Sequence, residues 1–277
     1  MNDPWKNARR PSSRPPRATP LPPREGGTPP PPGRGNDELR LYGWNAVQAL
    51  FTKRPQALRK LYLVESLISR MQPVLKWCVA NRVGYRVVEE GDLNKLAATT
   101  HHEGLVADVL RAPVLPLAQW LAELGEGPAL ALWLDGVGNP HNFGAILRSA
   151  AHFGAKALLL PASSTLALSG AAARVAEGGA ESVPLVQLPE DAEAMAQLRA
   201  AGFGLAATLV DGGEDVFRAS LPARLVYVMG AEGEGMDRGL ASRCDQQLSI
   251  PGSGAVESLN VASATAVLLA QWVSQRG

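Results

Sequence analysis

Cysteine is nearly absent: Cys78 and Cys244 are the two in 277 residues, and they lie far apart in the chain. Such a pair suggests neither a disulfide framework nor a thiolate metal cluster, so both thiols read as buried or incidental. Long apolar runs are missing as well. Nothing approaches the roughly 20 consecutive apolar residues of a membrane span, and the charged N-terminus from Met1 to Arg10 lacks the apolar stretch of a secretory signal. The expected location is the cytoplasm, with no membrane partner. Nucleotide hydrolysis is disfavoured for want of a phosphate loop and its lysine. What is present, 46% hydrophobic and 19% charged residues, is the composition of a globular protein with enough chain for two compact domains.

The net charge of +1 hides an asymmetry. Residues 1–36 hold seven basic side chains (Lys6, Arg9, Arg10, Arg14, Arg17, Arg24 and Arg34) against Asp3 and Glu25, a tail of +5 on a remainder of −4. Prolines crowd the same stretch from Pro4 to Pro32, so residues 1–37 read as a disordered or polyproline-like arm outside the fold. Such an arm attracts polyanions through counterion release without reading sequence; a merely solubilising extension is the plainer alternative.

Folded sequence begins near Leu39. Leu41 to Leu50 reads as a turn into an amphipathic helix, Leu61–Val64 as a strand and Met71–Asn81 as a helix, with further strands at Tyr85–Val88 and Gly104–Val109. This alternation predicts a small α/β domain over residues 38–112. A stretch rich in proline and glycine over residues 113–127 reads as a linker. Residues 128–277 then carry short apolar strands at Ala129–Leu134, Ala157–Leu160, Leu185–Leu188, Gly204–Val210 and Leu225–Met229, separated by helical stretches. Strands without polar alternation, spaced by helices, imply a parallel sheet covered on both faces. Ligands of such sheets bind beyond the carboxyl ends of the strands, which directs attention to the loops after Leu134, Val210 and Met229.

Three segments carry candidate chemistry. The first leaves a strand at Leu134, turns at Asn139-Pro140 and enters a helix for which Asn142 is a plausible N-cap, with Arg148 about two turns inside. A lone helical arginine is more often a solvated surface residue. The second, Gly230-Ala231-Glu232-Gly233-Glu234-Gly235, has glycines suited to a tight strand exit, while Glu232 and Glu234 would repel phosphate. A neutral or cationic ligand fits it better, and a purely structural turn is the competing explanation. The third runs from Ile250-Pro251 through a flexible turn to Ser258-Leu259-Asn260 and a long apolar helix reaching Trp272. Ser258 near that helix start has simple capping as its plain explanation.

In this order the three segments resemble the motifs of SpoU-type (TrmH-like) RNA 2′-O-ribose methyltransferases of the SPOUT superfamily: an Asn…Arg pair, a Gly-x-Glu-x-x-Gly loop and an Ile-Pro…Ser-Leu-Asn sequence. The resemblance covers Ala129 to Arg276. Leu41-Tyr42-Gly43 and His101-His102-Glu103-Gly104 extend it to the substrate-binding domain that precedes the catalytic domain in several members, with Glu103 where many relatives have glutamine. The resemblance implies a trefoil-knotted α/β catalytic domain behind a small α/β substrate-binding domain, S-adenosylmethionine as cofactor, no metal, tRNA or rRNA as partner, and a homodimer completing the site. By motif position, Gly230, Ile250 and Leu259 should contact the cofactor, and Asn142, Arg148, Glu232, Ser258 and Asn260 should line the reaction centre. The family proposal makes Arg148 the base. Guanidinium, with a pKa above about 12, is a poor one, and the alternative leaves Arg148 charged beside a developing alkoxide or a phosphate. Two other readings stay open: a noncatalytic RNA-binding protein that kept the fold, and a methyltransferase acting on a base nitrogen.

Overall fold

The computed structural model describes residues 37–230 and 235–276, so residues 1–36 of the proline-rich arm and Glu232 lie outside the described residues. The first sheet is built from β1 (Glu38–Tyr42), β2 (Leu58–Leu63), β3 (Gly84–Val87) and β4 (Leu105–Leu110), in the order β1-β4-β2-β3. Only β2 and β3 pair in parallel. Helices α1 (Trp44–Lys53), α2 (Gln72–Ala80) and α3 (Glu90–Ala97) cover it. Side chains alternate between faces along each strand. Leu61, Leu63, Leu105 and Ala107 therefore join Val47, Leu50 and Val74 in one core, while Tyr62 and Val106 meet Leu93 of α3 on the other side. Gly43, at φ 91°, turns β1 into α1, a conformation that glycine adopts without a steric penalty.

The segment expected as a linker is structured. It carries β5 (Leu115–Pro116) and α4 (Leu117–Glu123), whose Leu117 and Trp120 are buried. Seven residues are too few for a clear helical period, and Pro116 sits just ahead of the helix, where its missing N–H costs nothing.

Beyond it, the chain alternates between strand and helix. The strands are β6 (Ala129–Leu134), β7 (Ala157–Leu160), β8 (Leu185–Gln187), β9 (Gly204–Leu209), β10 (Glu214–Asp215), β11 (Arg224–Met229) and β12 (Gln246–Ser249). The helices are α5 (Pro140–His152), α6 (Gly170–Val175), α7 (Asp191–Ala200), α8 (Arg238–Ser242) and α9 (Val261–Ser274). The sheet runs β10-β12-β9-β11-β6-β7-β8-β5, parallel at each pairing. Both faces are dry, as the lack of polar alternation requires. Leu130, Leu132, Leu134, Leu225 and Tyr227 pack under α5 and α9, whereas Ala131, Trp133, Val226 and Val228 pack under α4, α7 and α8.

Helix α5 lies against α6 with almost no clearance. A Cβ at residue 144 would come within 2.5 Å of the Ala172 carbonyl oxygen and 2.7 Å of Val175 Cβ. Glycine inside a helix ordinarily costs about 1 kcal/mol relative to alanine, but overpacking costs about 1–3 kcal/mol, so the steric term wins here. Gly144→Ala is expected to lower the urea midpoint of unfolding; an unchanged or raised midpoint would show that the two helices separate freely.

Candidate active site at the carboxyl edge of the parallel sheet

The parallel register brings the strand ends together. Met229 pairs with Leu134 on one side and Thr208 on the other, and Ser249 pairs with Leu209. The ladder continues one residue further, where the Asp135 N–H donates to the Met229 carbonyl at 2.8 Å. The first two candidate segments therefore leave adjacent strands at the same edge. Gly230 follows directly, and the chain returns over it: a Cβ there would lie 2.5 Å from the Met236 nitrogen and 2.7 Å from the Gly235 carbonyl carbon. No other residue type fits so close a backbone passage.

Helix α5 starts differently from the expectation. Its N-cap is Asn139, whose side chain accepts from the His141 N–H at 2.8 Å, with Pro140 in the first position. Asn142 lies inside the first turn, so it is not the cap. Its Oδ1 instead accepts from Asn260 Nδ2 at 3.1 Å. Asn260 caps α9, its Oδ1 accepting from Ala262 N–H at 2.9 Å and Ser263 N–H at 3.4 Å. The capping considered for Ser258 thus belongs to Asn260. Ser258 and Leu259 are exposed in the loop just before that cap, and Ile250 is half-buried against the core below.

Arg148 is exposed on α5, as are His141 and His152, opposite the buried Phe143, Ile146, Leu147 and Ala150. The first and third segments are therefore joined by a direct hydrogen bond, and the first and second by strand pairing. Glu232, in the second segment, is outside the described residues. A cavity of about 880 Å³ opens elsewhere, where residues 64–67 and 87–104 meet Arg174. Reading the sequence assigned no role to Asp135. Burial first, then the like charges of Asp191 and Asp237, push its carboxyl above the ordinary carboxylate range. Its signal was an acidic residue directly after a wholly buried strand.

The SpoU rRNA methylase family matches residues 129–270, and the RNA 2′-O ribose methyltransferase substrate-binding family matches residues 40–113. The chain belongs to the SpoU family. This SpoU enzyme is 38% identical over 239 residues to the uncharacterized tRNA/rRNA methyltransferase YfiF of Escherichia coli O157:H7, covering 86% of this chain and 69% of that protein. It is also 38% identical over 242 residues to the 23S rRNA (guanosine-2′-O-)-methyltransferase RlmB of Ralstonia nicotianae, covering 85% and 95%. Among solved structures, the SpoU methyltransferase AviRb from Streptomyces viridochromogenes, in complex with the cofactor AdoMet, superposes with a TM-score of 0.73 at 26% identity, over 87% of this chain and 91% of that one. An AdoMet-bound rRNA methyltransferase from Sinorhizobium meliloti shares the fold, with a TM-score of 0.74 at 22% identity over 86% and 88%.

Two outcomes are expected for the SpoU enzyme. Asn260→Ala removes the cap and should cost about 1 kcal/mol of stability, whereas Asn260→Asp keeps a capping oxygen, replaces the amide donor to Asn142 with a carboxylate and adds a negative charge at the start of α9, where the helix dipole favours it; thermal unfolding should show Asn260→Ala to be the less stable of the two. Asp135, holding its proton more tightly folded than unfolded, makes stability fall as pH rises from the ordinary carboxylate range through its raised folded value. Asp135→Asn should flatten that slope in urea titrations run across pH.

Proposed function

We propose that this SpoU enzyme transfers a methyl group from S-adenosylmethionine to the ribose 2′-hydroxyl of a guanosine in 23S rRNA. The observation that carries the reading is the Asn142–Asn260 hydrogen bond, which joins the first and third motifs at the edge where the second leaves its strand. The rRNA guanosine target is taken from the RlmB relatives, which this chain matches over most of their length. A binding protein that merely kept the fold has less support, since Asn142, Arg148, Ser258 and Asn260 are all present in the sequence.

The residues at the edge suit this cofactor. Gly230 offers backbone without a side chain, Ile250 is half-buried, and Leu259 presents apolar surface at 48% exposure. Backbone and apolar surface of this kind hold an adenosine, and no phosphate-binding lysine is called for. When bound, the cofactor supplies an electrophilic methyl on a sulfonium leaving group. The protein's part is placement: in-line displacement needs the ribose oxygen at near-attack distance opposite that leaving group. Asn142 and Asn260 orient the ribose with Ser258 from the same loop as Asn260, and Glu232, outside the described residues, is assigned to the site by its motif alone. Arg148 acts as a cation. Exposed on α5, Arg148 steadies the developing alkoxide or the neighbouring phosphate, and the proton leaves to a phosphate oxygen or water.

A homodimer belongs to the same proposal. Helix α9 carries no charged residue in 14 positions, and its half-buried Ala264, Ala266, Val267 and Ala270 leave apolar surface for a second copy to cover. Val256, at 71% exposure, and Leu259 add apolar surface beside it. The trefoil knot is part of the same proposal and is supported by the family match over residues 129–270.

Methyl transfer into in vitro transcribed 23S rRNA tests the mechanism. Arg148→Ala is expected to lose about 10²-fold or more in kcat, and Arg148→Lys to recover part of it with no shift in the pH–rate profile. A shifted profile would make the arginine a base. In cells lacking the protein, mass spectrometry of 23S rRNA nucleosides should show less 2′-O-methylguanosine; a loss confined to tRNA would overturn the rRNA assignment.

A further inference from the structure

Residues 170–181 touch both halves of the reaction. On one side they grip the small sheet. Arg54 Nε and Nη2 bond both oxygens of Glu181 at 2.7 and 3.0 Å, and the Glu181 side chain is only 5% exposed. Arg174 Nη2 meets Glu103 Oε1 at 3.3 Å, while Glu103 Oε2 accepts from the Trp44 N–H at 2.8 Å and so anchors the start of α1. Asn45 Nδ2 donates to Glu177. The contact is close enough to require glycines: a Cβ at 170 would lie 2.4 Å from the Arg40 carbonyl oxygen, and one at 178 would lie 2.9 Å from Ala49 Cβ. Ala173 is counted within the small domain's own core.

On its other side the same segment seats α5. Gly144 meets Ala172 and Val175 as described, and a Cβ at 179 would lie 2.7 Å from the Leu147 carbonyl oxygen. Leu147 is the neighbour of Arg148. Backbone strain marks the seam as well. Glu103 and Glu177 are non-glycine residues in the left-handed region, at φ 55° and 51°, and each carboxylate bonds across the junction. Such conformations cost free energy and persist only where surrounding contacts hold them.

We propose that residues 170–181 are the positioning element of the reaction: clamped by Glu103–Arg174 and Arg54–Glu181, they set the angle at which RNA on the small sheet meets α5. Glu103 and Arg174 are then positioning residues, and this rests on the reading that Arg148 serves the transfer. The negative charge of Glu103 holds Arg174.

Glu103→Gln is a clean probe, because the amide oxygen still accepts from Trp44 while the ionic partner of Arg174 is lost. The measurements are kcat and KM on in vitro transcribed 23S rRNA, RNA affinity by filter binding, and S-adenosylmethionine stoichiometry by calorimetry. The expected result is a kcat lowered about 5- to 10-fold, an allowance for a misaligned reactant, with RNA affinity and cofactor stoichiometry unchanged. Arg174→Gln should do the same, and the double variant should be no worse than either single one, as for residues acting as a pair. Unchanged kcat, a loss proportional to cofactor stoichiometry, or additive losses each overturn the proposal. Arg148→Ala assayed in parallel keeps the two questions apart: if it stays active, the reading of the site fails, whereas if it is inactive while Glu103→Gln is normal, only the clamp fails.

Discussion

All strands of the larger sheet run the same way, and that direction decides where the motif-bearing loops leave it. Helical crossovers cover both faces with apolar residues, so the faces have no room for a polar ligand. The carboxyl ends of β6, β11, β9 and β12 then collect at one edge, with the loops that follow them. Residues 118 positions apart, Asn142 and Asn260, come within hydrogen-bonding distance there. Strand direction achieves this without any local interaction between the motifs.

Asparagine suits position 260 for a reason of bonding capacity. Its carbonyl oxygen satisfies two backbone N–H groups at the start of α9, and its amide nitrogen donates to Asn142. Serine would cap, and so would aspartate; neither has an amide donor left for the partner helix. A residue that looks like an ordinary cap therefore also fixes α9 against α5. One side chain thus ties loop geometry to helix packing.

The junction between the two sheets works by closeness and not by area alone. Gly170 and Gly178 let the two domains meet at backbone and Cβ distance, and the ion pairs Arg54–Glu181 and Arg174–Glu103 join the same surfaces. A half-buried pair such as Arg54–Glu181, bonded through both oxygens, is screened less by solvent than an exposed one. Its partners lie 127 residues apart in the chain. The strained backbone at Glu103 and Glu177 places charge where a glycine turn could not.

Much of this was legible in the residues alone. Strands such as Ala129–Leu134 announce themselves because a strand buried on both faces has no polar alternation, and the order of the three motifs carried the family. Local signals were weaker where two residues competed: Asn139 and Asn142 are both competent caps, and only the position of Pro140 at the first helical turn decides between them. The short α4 hid in a stretch rich in proline and glycine because seven residues do not complete two helical turns. Sequence by itself determined element types, the parallel architecture and the chemistry-bearing segments, since these follow from steric preferences and apolar periodicity among near neighbours. Tertiary structure alone decided that Asn260 bonds Asn142, that Glu103 pairs with Arg174 and that residues 170–181 join the sheets. Those contacts depend on strand register and helix approach, which no window of neighbouring residues encodes.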